Sequence, residues 1–397
     1  MTYNFDTLTT RLQTNCIKWD EMPASDILPM WVADMDFETA PCVAEAVQRR
    51  AAHPIYGYGL VSESFYDAIR WWNHTRHGWD IQREWIQYTS GVVAAFSAII
   101  QGLCLQGEPV LFFTPAYNCF FSSVRNAHCS LVDLPLIWDP VAETHTVDFQ
   151  AFEEAIDRNH VHLFLLCNPH NPSGRVWTEE ELRTMAGICK RHDVIVLSDE
   201  IHCEFVDPQL GRPYVPFGRI AEEVGCSWVV ANAPNKAFNI AGLQTAYIVT
   251  PREDFRQQID RALNDNETCD INIFASVALK AAYTSEGAEW LDQLVAYIYD
   301  NYRFFRQQLK AALPQLALAS LEGTYLAWLD VRPLLTPSNT AFSSTESLAS
   351  WLRKEHRVWV NSGDMYGRAG FLRINLATQR SRLEEATRRI IAGLSSR

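Results

Sequence analysis

A membrane-length apolar run, a basic tract and a paired-cysteine motif are all missing from this sequence, and each absence removes a class of function. No stretch reaches the roughly 18 consecutive apolar residues of a membrane helix. No run of Lys or Arg is long enough to track a phosphate backbone, and the net charge is −13, so neither a membrane nor nucleic acid is an expected partner. The ten cysteines are scattered without one C-x-x-C pair, and several sit inside apolar runs such as HLFLLC, where a free thiol behaves as a small hydrophobe. That usage fits a reducing compartment. The amino-terminal MTYNFDTLTTRLQ has no basic segment followed by an apolar one, so no export signal is expected and a cytoplasmic location is.

Several familiar motifs are absent too. There is no G-x-x-x-x-G-K-[ST] and no H-E-x-x-H. GYGLVS at 57–62 begins like a dinucleotide fingerprint, but its third glycine is replaced and no buried strand precedes it. His160 and His162 flank a strand start with no cysteine or carboxylate at ligand spacing, so no metal site is expected.

What remains is a chain of 397 residues, 48% hydrophobic and 20% charged, the profile of an ordinary enzyme with two domains or one large domain and an appendage. Its middle alternates two kinds of segment. VVAAFSAIIQGLCLQ reads as a buried helix, and EPVLFFTP, VHLFLLC, VIVLS and SWVVAN read as buried strands. In TEEELRTMAGICKRH, Thr178 and Glu181 form a capping box that opens an amphipathic helix. Strands alternating with helices predict an α/β fold whose mainly parallel sheet is covered on both faces. Around residue 285 the pattern changes to long helices and then TYLAWLDV, RVWVNSG and GFLRINLA, which predicts a smaller α+β domain. The expected division is a large domain over 46–284 and a small one built from 1–45 with 285–397.

In an open α/β sheet ligands sit beyond the carboxyl ends of the strands, so polar residues that follow buried runs are the candidates for chemistry. VHLFLLC is followed by NPHNPSG, VIVLS by DEIH, and SWVVA by NAPNK. If these strands are parallel neighbours, Asn171, Asp199, His202 and Lys236 converge. One lysine and one aspartate among neutral partners lacks the second carboxylate of a glycosidase. Desolvation disfavours the ammonium form, which makes Lys236 a candidate imine-forming amine. Pyridoxal phosphate uses the whole set: a lysine for its aldehyde, an acid (Asp199) for its pyridinium nitrogen and a donor (Asn171) for its ring hydroxyl. TSG at 89–91 opens a helix whose first N–H groups, at Gly91, Val92 and Val93, suit a phosphate. Tyr117, just past the EPVLFF strand, could cover the ring. Singly, each residue has a plainer explanation: a surface lysine, a helix cap, a turn former, a core tyrosine.

With LPMWVADMDFETAP, HPIYGYG, TSGVV, FFTPAYNCF, LLCNPHNPSGRVWT, LSDEIHCEF, NKAFNIAGLQ, GTYLAWLDV and GFLRIN in hand, the chain resembles the fold type I pyridoxal-phosphate enzymes of the aminotransferase superfamily. WVADMDF, SDEIH and KAFNIAGLQ narrow the resemblance to the MalY/PatB cystathionine β-lyase branch, in which the tyrosine usual among aminotransferases is replaced, here by His202. The resemblance implies a seven-stranded-type sheet sandwiched by helices, with Lys236 as the Schiff-base lysine, Asp199 at the pyridinium and Asn171 at the ring hydroxyl. It also implies His202 beside the cofactor, Tyr117 on the ring, and Gly91, Val92 and Val93 at the phosphate. Tyr58 would reach the phosphate of the neighbouring subunit, which implies a homodimer with the site at its interface. Arg373 would bind the α-carboxylate of an amino-acid substrate. The family often places Ser or Thr before the lysine, where this chain has Ala233, Pro234 and Asn235, so Asn232 or Asn235 is expected to substitute. Gln244 stands where many aminotransferases carry a phosphate-binding arginine. The implied reaction is carbon–sulfur β-elimination, with a class I/II aminotransferase and a cofactor-binding regulator as alternatives.

Overall fold

A computed structural model of the chain describes residues 2–21, 26–335 and 342–395. The strands of its two main sheets are numbered in chain order. The large sheet contains β1 (Ile86–Thr89), β2 (Pro109–Thr114), β3 (Ser130–Pro135), β4 (Leu163–Cys167), β5 (Ile195–Asp199), β6 (Trp228–Asn232) and β7 (Ala246–Val249). They lie in the order β1-β7-β6-β5-β4-β2-β3, and β7 runs opposite to the other six.

The unbroken apolar character of the central strands has a direct cause. Successive side chains on a strand point to opposite faces. In β4, Leu163, Leu165 and Cys167 enter one core cluster, with Phe96 and Ile99 of the helix Val92–Leu103. Phe164 and Leu166 enter a second cluster on the other face, with Leu182 and Met185 of the helix Glu179–Arg191. A strand buried on both faces cannot alternate polar with apolar residues. The capping box at the start of Glu179–Arg191 forms as expected, the Thr178 hydroxyl accepting from Glu181 N–H at 3.1 Å while the Glu181 carboxylate accepts from Thr178 N–H at 2.8 Å.

The small sheet is antiparallel, with β8 (Ala317–Leu318), β9 (Leu326–Asp330), β10 (Asn361–Ser362) and β11 (Phe371–Asn375) in the order β8-β9-β11-β10. The amino-terminal segment packs there: Leu28 and Pro29 pair in parallel with Val358 and Trp359, and Asn375 Nδ2 donates to Asp34 O at 2.6 Å. The helix Ser285–Ala312, capped by the Thr284 hydroxyl, begins where the sequence pattern changes. The expected boundary between residues 45 and 46 falls inside the helix Pro41–Ala51, which is tied to the helix Ile273–Ala282 by the Cys42 thiol donating to Ala281 O. Among the described residues no helix is long and apolar enough to cross a membrane.

Candidate active site

Register brings the expected residues together. Cys167 lies opposite Asp199, and Asp199 opposite Ala231, so β4, β5 and β6 end level with one another. The chain leaving each strand turns over the same sheet edge, where a cavity of about 310 Å³ opens. Gly91, Val92 and Val93 line one side of it. Tyr117, Asn171, Asp199, His202, Asn235 and Lys236 line the remainder, with Ala33 and Gln244. Arg373 reaches in from the middle of β11, its guanidinium donating to Asn171 Oδ1 at 3.3 Å. Tyr58 lies outside this group, on the surface, with 98% of its area exposed.

Lys236 sits in the turn after β6, and Nζ donates to the Ala33 carbonyl, which also accepts from the Tyr325 hydroxyl at 2.9 Å. Burial, assisted by the Arg373 charge and opposed by Asp34 and Asp199, lowers its pKa to about 8. Asp199 is only 3% exposed and accepts from Ile201 N–H at 3.2 Å. Burial pushes its carboxyl up to about 7; the Ile201 bond opposes this, Glu200 adds to it and Lys236 opposes it. A carboxyl held this way gains from a cation or a protonated ring nitrogen placed before it. Its neighbour Glu200 is not part of the same site. Glu200 accepts from Phe217 N–H and the Ser198 hydroxyl at 2.9 Å, and from the Tyr214 hydroxyl, so its lone pairs are already used.

The remaining groups are poised to meet a polar ligand. Buried polar atoms without a partner are costly, so each one calls for a reason. His202 Nδ1, Asn235 Oδ1 and Arg373 Nε are all buried and unpartnered. His202 is held neutral, its pKa driven far down by burial and by the Lys236 and Arg373 charges, and its ring meets Tyr325 edge-on at 5.7 Å. Gly91 caps the helix Val92–Leu103 with no side-chain cap bond, and a β-carbon built on it would touch nothing within 4 Å. The helix thus begins at the cavity wall, where Gly91, Val92 and Val93 lie, and an uncapped helix N-terminus is a ready anion site. Of the two asparagines, Asn232 is already engaged, accepting from Ala233 N–H at 2.7 Å and donating to Cys203 Sγ at 3.4 Å. Asn235 is the one at the cavity.

Sequence reasoning named no site residue in the WVADMDF segment, which carries the site's backbone acceptors. The Trp31 carbonyl accepts from Arg373 Nη2 at 3.0 Å and from Asn361 Nδ2 at 3.1 Å, while Ala33 holds Lys236. Arg373 also lies over the Tyr366 ring, 4.6 Å from its centroid. The signal in WVADMDF was visible as a motif, yet its work is done through main-chain oxygens. A larger recess of about 590 Å³ lies beside Arg76, Glu204 and Arg212, but its charges are already paired, Arg76 with Glu204 at 3.2 Å and Arg212 with Glu322 at 2.9 Å.

A profile of the family described as aminotransferase class I and II matches residues 25–390. The chain belongs to that family. Within it, the chain is 36% identical to cystathionine beta-lyase PatB of Bacillus subtilis, over 99% of this chain and 100% of the relative. It is 33% identical to the protein MalY of Escherichia coli, over 99% and 98%. Among solved structures, the C–S lyase of Staphylococcus hominis, bound to pyridoxal phosphate and complexed with the inhibitor L-cycloserine, superimposes with a TM-score of 0.90 at 30% identity, over 99% of each chain. The fold of this chain, with its seven-stranded sheet, is thus one it shares with a family member of known structure.

Proposed function

We propose that this chain is a pyridoxal-phosphate-dependent carbon–sulfur β-lyase that acts in the cytoplasm on cystathionine or related S-conjugates of cysteine, releasing pyruvate, ammonia and a thiol. The observation that carries the cofactor assignment is the donor set: a lysine with a lowered pKa, a buried carboxyl that makes no ion pair among the described residues, and an open helix N-terminus around one cavity. Lyase names among the relatives, PatB and the Staphylococcus hominis enzyme, support elimination over amino-group transfer.

Lys236 would hold the cofactor, Asp199 would face its ring nitrogen, Asn171 its ring hydroxyl and Tyr117 its face. The N–H groups at Gly91, Val92 and Val93, with the Asn235 amide, would bind its phosphate, and His202 would border the ring. Bound there, the cofactor supplies an electron sink for the pair left when a Cα–H bond breaks. Arg373 orients the substrate through its carboxylate, a task suited to a planar guanidinium fork. Lys236 Nζ, when neutral, takes the Cα proton and can pass it to the departing sulfur. Burial of Asp199 and His202 beside the half-buried Lys236 limits the water that competes for that proton.

The deciding experiment supplies cystathionine with no 2-oxo acid. Pyruvate and free thiol should accumulate together; their absence, with transamination once a 2-oxo acid is added, would overturn the lyase reading in favour of an aminotransferase. Arg373→Gln is expected to raise KM for cystathionine and lower kcat/KM roughly 10²-fold, since a charge-assisted bidentate contact is lost. A change confined to kcat would argue that Arg373 does something else.

Lys236 also predicts a pH dependence. A depressed lysine pKa leaves about one-tenth of the amine neutral at pH 7, against about one in 3,000 for an ordinary lysine. Covalent capture of pyridoxal phosphate by cofactor-free protein should therefore quicken with pH and level off above about 8. A rise continuing past pH 10 would show that burial does not tune this amine.

The reading extends to a homodimer. Ile55, Tyr56, Tyr58 and Leu60 form an exposed, largely apolar strip on one loop, of the kind an interface covers. Through it Tyr58 would reach the partner's phosphate site. Sedimentation should show a dimer, and Tyr58→Ala and Asn235→Ala should each weaken cofactor retention about tenfold, the worth of one good hydrogen bond. Wild-type retention in both would remove these residues from the phosphate site.

A further inference from the structure

Three parallel strands end at the cavity just described; the opposite, amino edge of the same sheet gathers a different set of side chains. Cys104 follows the helix Val92–Leu103, Glu108 precedes β2, Cys129 precedes β3 and His162 precedes β4. Because β4, β2 and β3 are adjacent, their starting points lie side by side. Main-chain bonds fix them there: Ser130 N–H donates to Glu108 O at 3.0 Å, Gly107 N–H to His128 O at 2.9 Å, and His162 N–H to Pro109 O at 3.0 Å. The ligand atoms of Cys104, Glu108 and His162 all lie within 4.8 Å of one another. The Cys129 thiol stands next to this group, donating to Leu105 O at 3.6 Å, and Cys104 and Cys129 each shift the ionisation of the other.

We propose that Cys104, Glu108, Cys129 and His162 form a binding site for a borderline-soft divalent cation of the zinc class, which pins the starts of three adjacent strands. Two sulfurs, an imidazole and a carboxylate make the donor set such an ion takes in tetrahedral geometry. With bonds of roughly 2.0–2.3 Å, such ligands stand about 3.5 Å apart, so Cys104, Glu108 and His162 close with side-chain shifts of about an ångström and the Cys129 thiol must swing from Leu105 O to complete the set. The carboxylate is already oriented, accepting from Leu105 N–H at 2.7 Å, and lies 3.7 Å from His162 Nε2. His162 Nε2 now bonds Leu103 O at 2.9 Å; ligation exchanges that bond for the tautomer with its proton on Nδ1. An adjoining recess of about 310 Å³, lined by Asp157, His160, His192 and Asp193, leads a hydrated cation to Glu108 and His162.

The electrostatics agree with this geometry. Burial, with Cys129 and Glu108 beside it, drives the Cys104 thiol far up, and burial with Glu108 raises Cys129 against the opposing effect of Cys104. Two thiols and a carboxylate crowd together there, and a divalent ion reverses the cost of ionising them side by side. A second grouping, His77, Cys203 and Glu204, differs on this point, because Glu204 is already bonded by Trp72 Nε1 at 2.7 Å, Arg76 at 3.2 Å and His77 at 2.8 Å.

The test uses holoenzyme kept reduced with a phosphine, equilibrated with zinc(II) and desalted. About one zinc per chain should be retained, raising the thermal midpoint, as expected of any ligand that binds only the folded state. Cys104→Ser/Cys129→Ser should retain almost none and lose the zinc-dependent rise, whereas His77→Gln should behave as wild type. Wild-type protein that retains no zinc, or a double variant that retains as much as wild type, overturns the site. Should the double variant fail to fold, Glu108→Gln and His162→Gln are measured singly, each expected to weaken zinc binding about tenfold or more. An unchanged affinity in both overturns it equally.

Discussion

Replacing Lys236 with alanine is expected to lower pyruvate release from cystathionine by at least about 10³-fold, the largest effect of any single substitution in this chain. Two losses combine. The amine that anchors the cofactor disappears, and so does the base at the substrate's Cα, a role that contributes roughly 10²–10⁴-fold by itself. The fold should survive, because Lys236 is half-buried at the mouth of a cavity and its bond to Ala33 O is backed by that of Tyr325. Borohydride reduction followed by peptide mass analysis gives a readout independent of turnover: the added cofactor mass should sit on the peptide containing Lys236 and vanish in the variant. Activity within about tenfold of wild type, or a reducible adduct on another lysine, would refute the assignment.

Asp199→Asn should reduce kcat by about 10²–10³-fold with little change in shape. A neutral amide cannot hold a proton on a ring nitrogen, so the electron sink weakens while the cavity keeps its volume. Stability should move the other way in cofactor-free protein. The folded-state pKa of Asp199 is raised to about 7 from an ordinary value near 3.8, so ionising the carboxyl costs folding free energy. That cost accrues as pH rises from about 4 towards 7 and persists above it. Cofactor-free Asp199→Asn should thus melt no lower than wild type at pH 8. Glu200→Gln is the contrast, since both its oxygens accept from donors already in place and the NH2 of glutamine would face one of those donors, at an expected cost of about 1–3 kcal/mol of stability. If Asp199→Asn were destabilising and Glu200→Gln catalytically crippling, the roles of these adjacent acids would be reversed.

How much of this could be read without coordinates depends on the kind of atom involved. Lys236, Asp199 and Asn171 were legible because each follows a run that is apolar throughout. A strand buried on both faces has no other composition open to it, and parallel neighbours place their carboxyl ends together. The same logic located Gly91, at the start of a helix whose apolar length was plain. Arg373 was placed by family resemblance, and its partners Asn171 and the Trp31 carbonyl emerged only from β11 standing across the cavity. Neither Ala33 nor Trp31 could be singled out from its side chain, since every residue carries the carbonyl that each contributes.

Two further decisions belonged to tertiary structure alone. Asn232 and Asn235 are chemically identical and three positions apart, and either could have faced a phosphate. The last residue of β6 turns its amide to Cys203 and Ala233, and the turn that follows carries Asn235 to the cavity. Likewise, His162 carried no metal-ligand spacing, because Cys104 and Glu108 meet it across neighbouring strand starts rather than along one helix or loop. The order of residues alone dictates which segments are buried, hence the sheet, its polar edge and the side chains proposed to hold the cofactor. Which side chains touch across that sheet was decided by strand order and register, because contacts between residues distant in the chain depend on how strands align and leave no local pattern to read.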